Sequence, residues 1–118
     1  MEHLIKLSVS GDITRENLEE YSRVKSLSIE ETYNQLSLEI AKRYDRGLLS
    51  YTDADWAMNN INPFWIDDAV KFGDGFVLPE PADSIYLAFD AGEWDRGDGK
   101  DPEIEFTKPL IRKILENA

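Results

Sequence analysis

Ile29, Tyr33, Leu36, Ile40 and Tyr44 recur at steps of four, three, four and four, and this spacing constrains the fold more than any other feature. It lays one apolar stripe along a 3.6-residue helix and cannot be read as a strand, whose period is two. Ser28 and Glu31 stand at the spacing of a capping box, and Gly47 offers a left-handed stop. A helix over about residues 29–46 follows, with Glu30, Glu31, Gln35, Glu39, Lys42 and Arg43 facing water. Helices of this length are marginal alone, so the stripe demands other helices to cover it.

The rest of the chain supplies them in short pieces. Thr14 is placed to cap a helix carrying Leu18, Tyr21 and Val24 on one side. Thr52 with Asp55 repeats that logic for a short helix through Trp56 and Met58, which Pro63 ends or redirects. Asn62-Pro63 reads as a new start, with Phe64, Trp65, Ala69 and Phe72 turned inward and Gly73 as the stop. Pro81 opens another helix bearing Ile85, Tyr86, Ala88 and Phe89, closed by Gly92. Residues 92–101 form a polar loop, after which Pro102 and Pro109 each permit a start, and Leu110, Ile111, Ile114 and Leu115 stripe the last helix.

The amino terminus is ambiguous. Ile5, Leu7 and Val9 alternate with Lys6, Ser8 and Ser10, a period that suits a half-buried strand, with Phe76-Val77-Leu78 as its one candidate partner. Residues 3–10 are thus open to strand or helix. The expected fold is all-α or mostly α: a single domain over 1–118, a bundle of about five short helices, with a small N-terminal strand or two-stranded sheet at most.

Charge narrows the function classes. The chain holds 24 acidic residues against 13 Lys and Arg, for a net charge of −11, and the excess is concentrated. Residues 53–105 contain 14 acids and only Lys71, Arg96 and Lys100 as bases. Such a field repels nucleic acid and anionic lipid headgroups, so neither is an expected direct partner. Neither a membrane-length apolar run nor a secretory layout at Met1-Glu2-His3-Leu4 is present, and the cytoplasm is the expected compartment.

Chemistry-bearing motifs are few. With no cysteine and one histidine, thiolate sites and paired imidazoles are excluded. Asp95, Asp98 and Asp101 sit among glycines, but an EF-hand register fails: Gly97 at position 6 puts Gly92 at 1, and Gly99 there puts Trp94 at 1. Asp53 with Asp55, and Asp67 with Asp68, are too close in sequence to converge across a cleft from one helix. No phosphate-binding glycine loop occurs. No catalytic residues, metal ligands or cofactor are expected, and the chain reads as non-enzymatic.

All three tryptophans fall in the acidic segment. Trp56 and Trp65, on amphipathic helices, are expected in the core, whereas Trp94, between Glu93 and Asp95 in a glycine-rich loop, is the candidate exposed anchor. A docking surface of Trp94, Glu93, Asp95, Asp98 and Asp101, with Asp67 and Asp68 contributing, would attract a basic protein. Self-association into a homodimer, with the acidity serving only solubility, is the alternative.

The segments Leu-Ser-Ile-Glu-Glu-Thr-Tyr at 27–33, Leu-Glu-Ile-Ala-Lys-Arg-Tyr at 38–44, Ala-Met-Asn-Asn at 57–60 and Phe-Thr-Lys-Pro-Leu-Ile at 106–111 resemble those of small bacterial helical proteins that have no assigned activity. In size, acidity and lack of a catalytic set the chain is also similar in type to the acidic immunity proteins that neutralise bacterial toxins, many of them basic nucleases. That likeness implies an inhibitor that occludes a basic partner.

Overall fold

A computed structural model describes residues 1–118, and every regular element in it is helical. The order is α1 (Glu2–Ser10), α2 (Arg15–Lys25), α3 (Ile29–Asp45), α4 (Tyr51–Phe72), α5 (Ala82–Ala91) and α6 (Lys108–Glu116), the last entered through a π-helical turn at Glu103–Thr107. The radius of gyration, 14.3 Å, is close to the roughly 13.5 Å of a compact chain of this length.

The bundle is organised around α3, which packs against α1, α2, α4, α5 and α6. Its stripe behaves as the spacing requires: Tyr33, Leu36, Ile40 and Tyr44 are buried, and Ile29 packs at the edge. Ser28 and Glu31 close the reciprocal capping box, and Gly47 follows with φ 74°. Thr14 and Asn17 form a second box that starts α2. Edge-on aromatic contacts join α3 to its neighbours, with Tyr44 and Phe89 centroids 5.1 Å apart and Tyr33 and Trp65 5.6 Å apart.

Several expectations fail for identifiable reasons. There are six helices rather than five, and neither the N-terminal strand nor a two-stranded sheet exists. Residues 2–10 are helical, and residues 76–78 run as irregular chain. Leu4, Ile5 and Ser8 share the buried face of α1, a spacing hidden by counting Ser8 as outward. Burial of Ser8 is tolerated because its hydroxyl donates to the Leu4 carbonyl at 2.7 Å, while Asn60 of α4 donates to the Ser8 carbonyl.

Pro63 neither ends nor redirects a helix, since α4 runs unbroken for 22 residues. The ring lies on the exposed side, where water can hydrate the acceptor freed by its missing N–H. The start of α4 is also earlier than expected: Ser50 accepts from the Asp53 N–H, displacing Thr52 as the cap. Phe72, read as inward, is largely exposed beyond the last core contact of α4. At the far end of the chain, Pro102 begins the turn at 103–107 and Pro109 falls in the first turn of α6, so the two starts merge into one helical arm.

Candidate protein-binding site

Two ends of α4 carry the carboxylates singled out from the sequence, and the structure treats them differently. Asp67 and Asp68 lie near the carboxyl end, about 20 Å along the helix from Asp55 at 1.5 Å per residue. They therefore do not share a surface with Trp94. Asp68 is moreover only 7% exposed. Arg15 Nη2 stands 3.0 Å from its Oδ1, and the Tyr33 hydroxyl donates to its Oδ2 at 2.7 Å. The same guanidinium donates to the Phe64 carbonyl at 2.9 Å. Burial, aided by the bond to Asp68, pushes the Tyr33 phenol up. Asp68 is thus a structural tie between α2, α3 and α4, and its expected place on a docking surface is corrected. Asp67 remains exposed beside it.

At the other end, α4 and α5 bring together three carboxyl groups. Asp55 comes from the second turn of α4, Asp90 from the last turn of α5, and Glu93 from the residue after Gly92. Asp55 and Asp90 both act on the Glu93 carboxyl. Desolvation, followed by the bond to Asp90 and the charges of Asp55 and Asp90, pushes the Glu93 carboxyl up to about 7. Desolvation raises Asp55 to about 6, partly offset by its bond to Glu93 and reinforced by the charge of Asp90. No basic residue occupies the last turn of α5 to balance them.

Gly92 makes this closeness possible. A Cβ there would sit 2.3 Å from Thr107 Oγ1 and 2.8 Å from the Tyr51 hydroxyl. Both groups are already committed, Tyr51 donating to the Phe89 carbonyl and Thr107 to the Ala88 carbonyl, each at 2.7 Å. The end of α5 is therefore pressed directly onto α4 and the π turn.

Each indole of the outer surface is the chain neighbour of a clustered carboxylate. Trp94, following Glu93, is 67% exposed as the sequence suggested. Trp56, following Asp55, is 55% exposed, which corrects its expected place in the core; Trp65 alone of the three is sealed inside, its N–H on Asp83 Oδ1 at 3.2 Å. Periodicity misassigned Trp56 because Ala57, Met58 and Ala54 already complete the buried face of α4.

Asp95, Asp98 and Asp101 are all exposed in the loop, and each commits one oxygen to its own backbone: Asp95 accepts from the Gly97 N–H, Asp98 from Lys100 and Asp101 from Glu103. Asp101 thereby caps the terminal helical arm. Arg96 folds back, its guanidinium 3.8 Å from the Phe106 ring centroid and donating to the carbonyls of Ala91 and Trp94. Further along this face Tyr44 donates to Glu103 at 2.5 Å.

No three His, Asp or Glu side chains are arranged to hold a metal ion. The largest cavity, about 580 Å³ between Leu38 of α3, Ser84 of α5 and Ile114 of α6, contains none of the residues singled out above. No helix is long and apolar enough to cross a membrane. The surface at this end of the bundle offers carboxylates and exposed aromatic area. Compared with protein-family models, curated proteins and solved structures, the chain matches none.

Proposed function

We propose that this chain is a non-enzymatic bacterial binding protein of immunity type, which occludes a basic protein such as a nuclease toxin through the end of the bundle where α4 meets α5. The observation that carries this reading is the pairing of two exposed indoles, Trp56 and Trp94, with the carboxyls of Asp55, Asp90 and Glu93. Exposed tryptophan supplies rigid apolar area at a docking centre, and uncompensated carboxylates around it steer a cationic partner. Asp95, Asp98 and Asp101, all exposed, extend the acidic surface along the loop. A basic nuclease surface that holds phosphates would find in this edge a substitute for them.

The test uses the toxin-like product of a neighbouring reading frame as the probe. Affinity falls at least tenfold between 50 and 500 mM salt, roughly the loss of one well-placed charge contact, and Trp94→Ala weakens it about thirtyfold. Binding that is indifferent to both salt and Trp94 overturns the reading. One observation favours a second reading, a self-associating domain whose acidity serves solubility: Val70, Phe72 and Val77 are exposed at the opposite end of α4. Sedimentation velocity separates the two, because a homodimer grows with concentration while an inhibitor awaiting its partner stays monomeric.

A further inference from the structure

We propose that the cavity between α3, α5 and α6 is a binding site for a small zwitterion with an apolar side chain, of the class of a free aromatic or branched α-amino acid. The inference goes beyond docking of a protein, because the cavity, about 580 Å³, contains none of the residues of the docking surface. Its volume is that of a small-molecule site. Three side chains make an apolar floor: Leu38 of α3, Pro81 at the start of α5 and Ile114 of α6, all half-buried. Leu38 and Ile114 also pack on the hydrophobic core, so the floor continues it. The walls are pinned as well. Asn34 of α3 accepts from the Ala82 N–H at 3.1 Å, which fixes the first turn of α5 to α3, and Asn117 donates to the Lys113 carbonyl at 2.9 Å, which holds the end of α6. Walls fixed by such bonds are in place before a ligand arrives, and that lowers the entropy lost on binding.

The rim decides the class of ligand. Glu80, on the α5 wall, and Lys113, on the α6 wall, are the only charged side chains lining the cavity, and neither is in an ion pair within the chain. The Ser84 hydroxyl donates to Glu80 at 2.5 Å, which orients the carboxylate without neutralising it. Two opposite charges thus stand uncompensated beside one apolar floor. A neutral ligand covering that floor would strip water from both charges and return nothing, and a ligand with one charge would satisfy one of them and strand the other. An α-ammonium directed to Glu80 and an α-carboxylate directed to Lys113 satisfy both, while the side chain covers Leu38, Pro81 and Ile114.

Three probes that share one ring separate these contributions. L-phenylalanine carries both charges, phenethylamine only the ammonium and hydrocinnamate only the carboxylate. Each is titrated into the full chain at neutral pH and followed by the NMR shifts of the backbone amides. Expected is saturable binding of L-phenylalanine in the millimolar range, with shifts centred on Leu38, Ser84 and Ile114, and binding of either singly charged probe about fivefold weaker. Glu80→Gln weakens L-phenylalanine and phenethylamine about fivefold without weakening hydrocinnamate; Lys113→Gln weakens L-phenylalanine and hydrocinnamate by as much without weakening phenethylamine. Both positions are exposed, so these variants keep the fold. Leu38→Trp fills the floor and removes binding of all three. The absence of saturable binding, equal affinity for the three probes, indifference to both charge substitutions, or shifts centred elsewhere each overturns the site.

Discussion

One helix, α4, ends in two carboxylate clusters that obey opposite rules. At its carboxyl end Asp68 is buried, yet Arg15 and Tyr33 saturate both of its oxygens. At its amino end Asp55 is less buried but faces Glu93 and Asp90, two groups of its own sign. The first arrangement ties three helices together, while the second holds two segments at an electrostatic cost that a proton can relieve. Charge count alone does not distinguish them, since the sequence shows aspartate in both places; what differs is whether a cation or another carboxylate arrives from a distant element.

The contrast can be broken most forcefully through the tryptophans. Trp65→Ala, beside the compensated end, removes a fully buried indole and costs about 3–5 kcal/mol of stability in urea unfolding, whereas Trp56→Ala changes it by less than about 0.5 kcal/mol. Equal losses would mean that the two ends do not divide into core and surface. Next in size, Arg15→Ala leaves Asp68 buried with only Tyr33 and lowers stability by about 3 kcal/mol in the same assay. At the acidic end Gly92→Ala drives a methyl into Thr107 and Tyr51, both of which are bonded in place, at a cost of about 1–3 kcal/mol.

The smallest expected effect is the sharpest discriminator. Because folding raises the Asp55 carboxyl to about 6, the folded chain binds more protons than the unfolded one between the ordinary aspartate range and that value. The contribution to stability is therefore full in acid and lost as pH rises through 6. Asp55→Asn escapes that loss: melting temperature at pH 7.5 rises by about 2–4 °C over the native chain, a figure already reduced for solvent screening, and is unchanged near pH 4. A variant less stable than the native chain at pH 7.5 would show that Asp55 is compensated after all.

Much of the helical layout was legible because its signals are local. Ser28 with Glu31, Thr14 as a cap and the stripe from Ile29 to Tyr44 each act within one or two turns, and each appears where the sequence puts it. Local rules misled where packing intervened. Ser8 faces the core with its hydroxyl satisfied by the Leu4 carbonyl, and Pro63 is tolerated because its ring meets water. Of the candidate site, the exposure of Trp94 was legible from loop composition, but Asp68 was misplaced, Trp56 was read as core, and Asp55 was read only with Thr52 and Asp53 and not with Asp90. A partial signal existed in Asp90 and Glu93, three residues apart at a helix end without a basic residue. Nothing in the chain pointed from that pair to Asp55, more than thirty positions earlier.

By itself, the sequence determined where α2 and α3 begin, which face of α3 turns inward and that negative charge gathers between residues 53 and 105, since caps, periodicity and composition act on neighbours along the backbone. Tertiary structure alone decided which carboxylate meets Arg15 and which meets another carboxylate. Those encounters depend on how helices cross, and a crossing is fixed by the fit of whole buried faces rather than by the charged residues it happens to bring together.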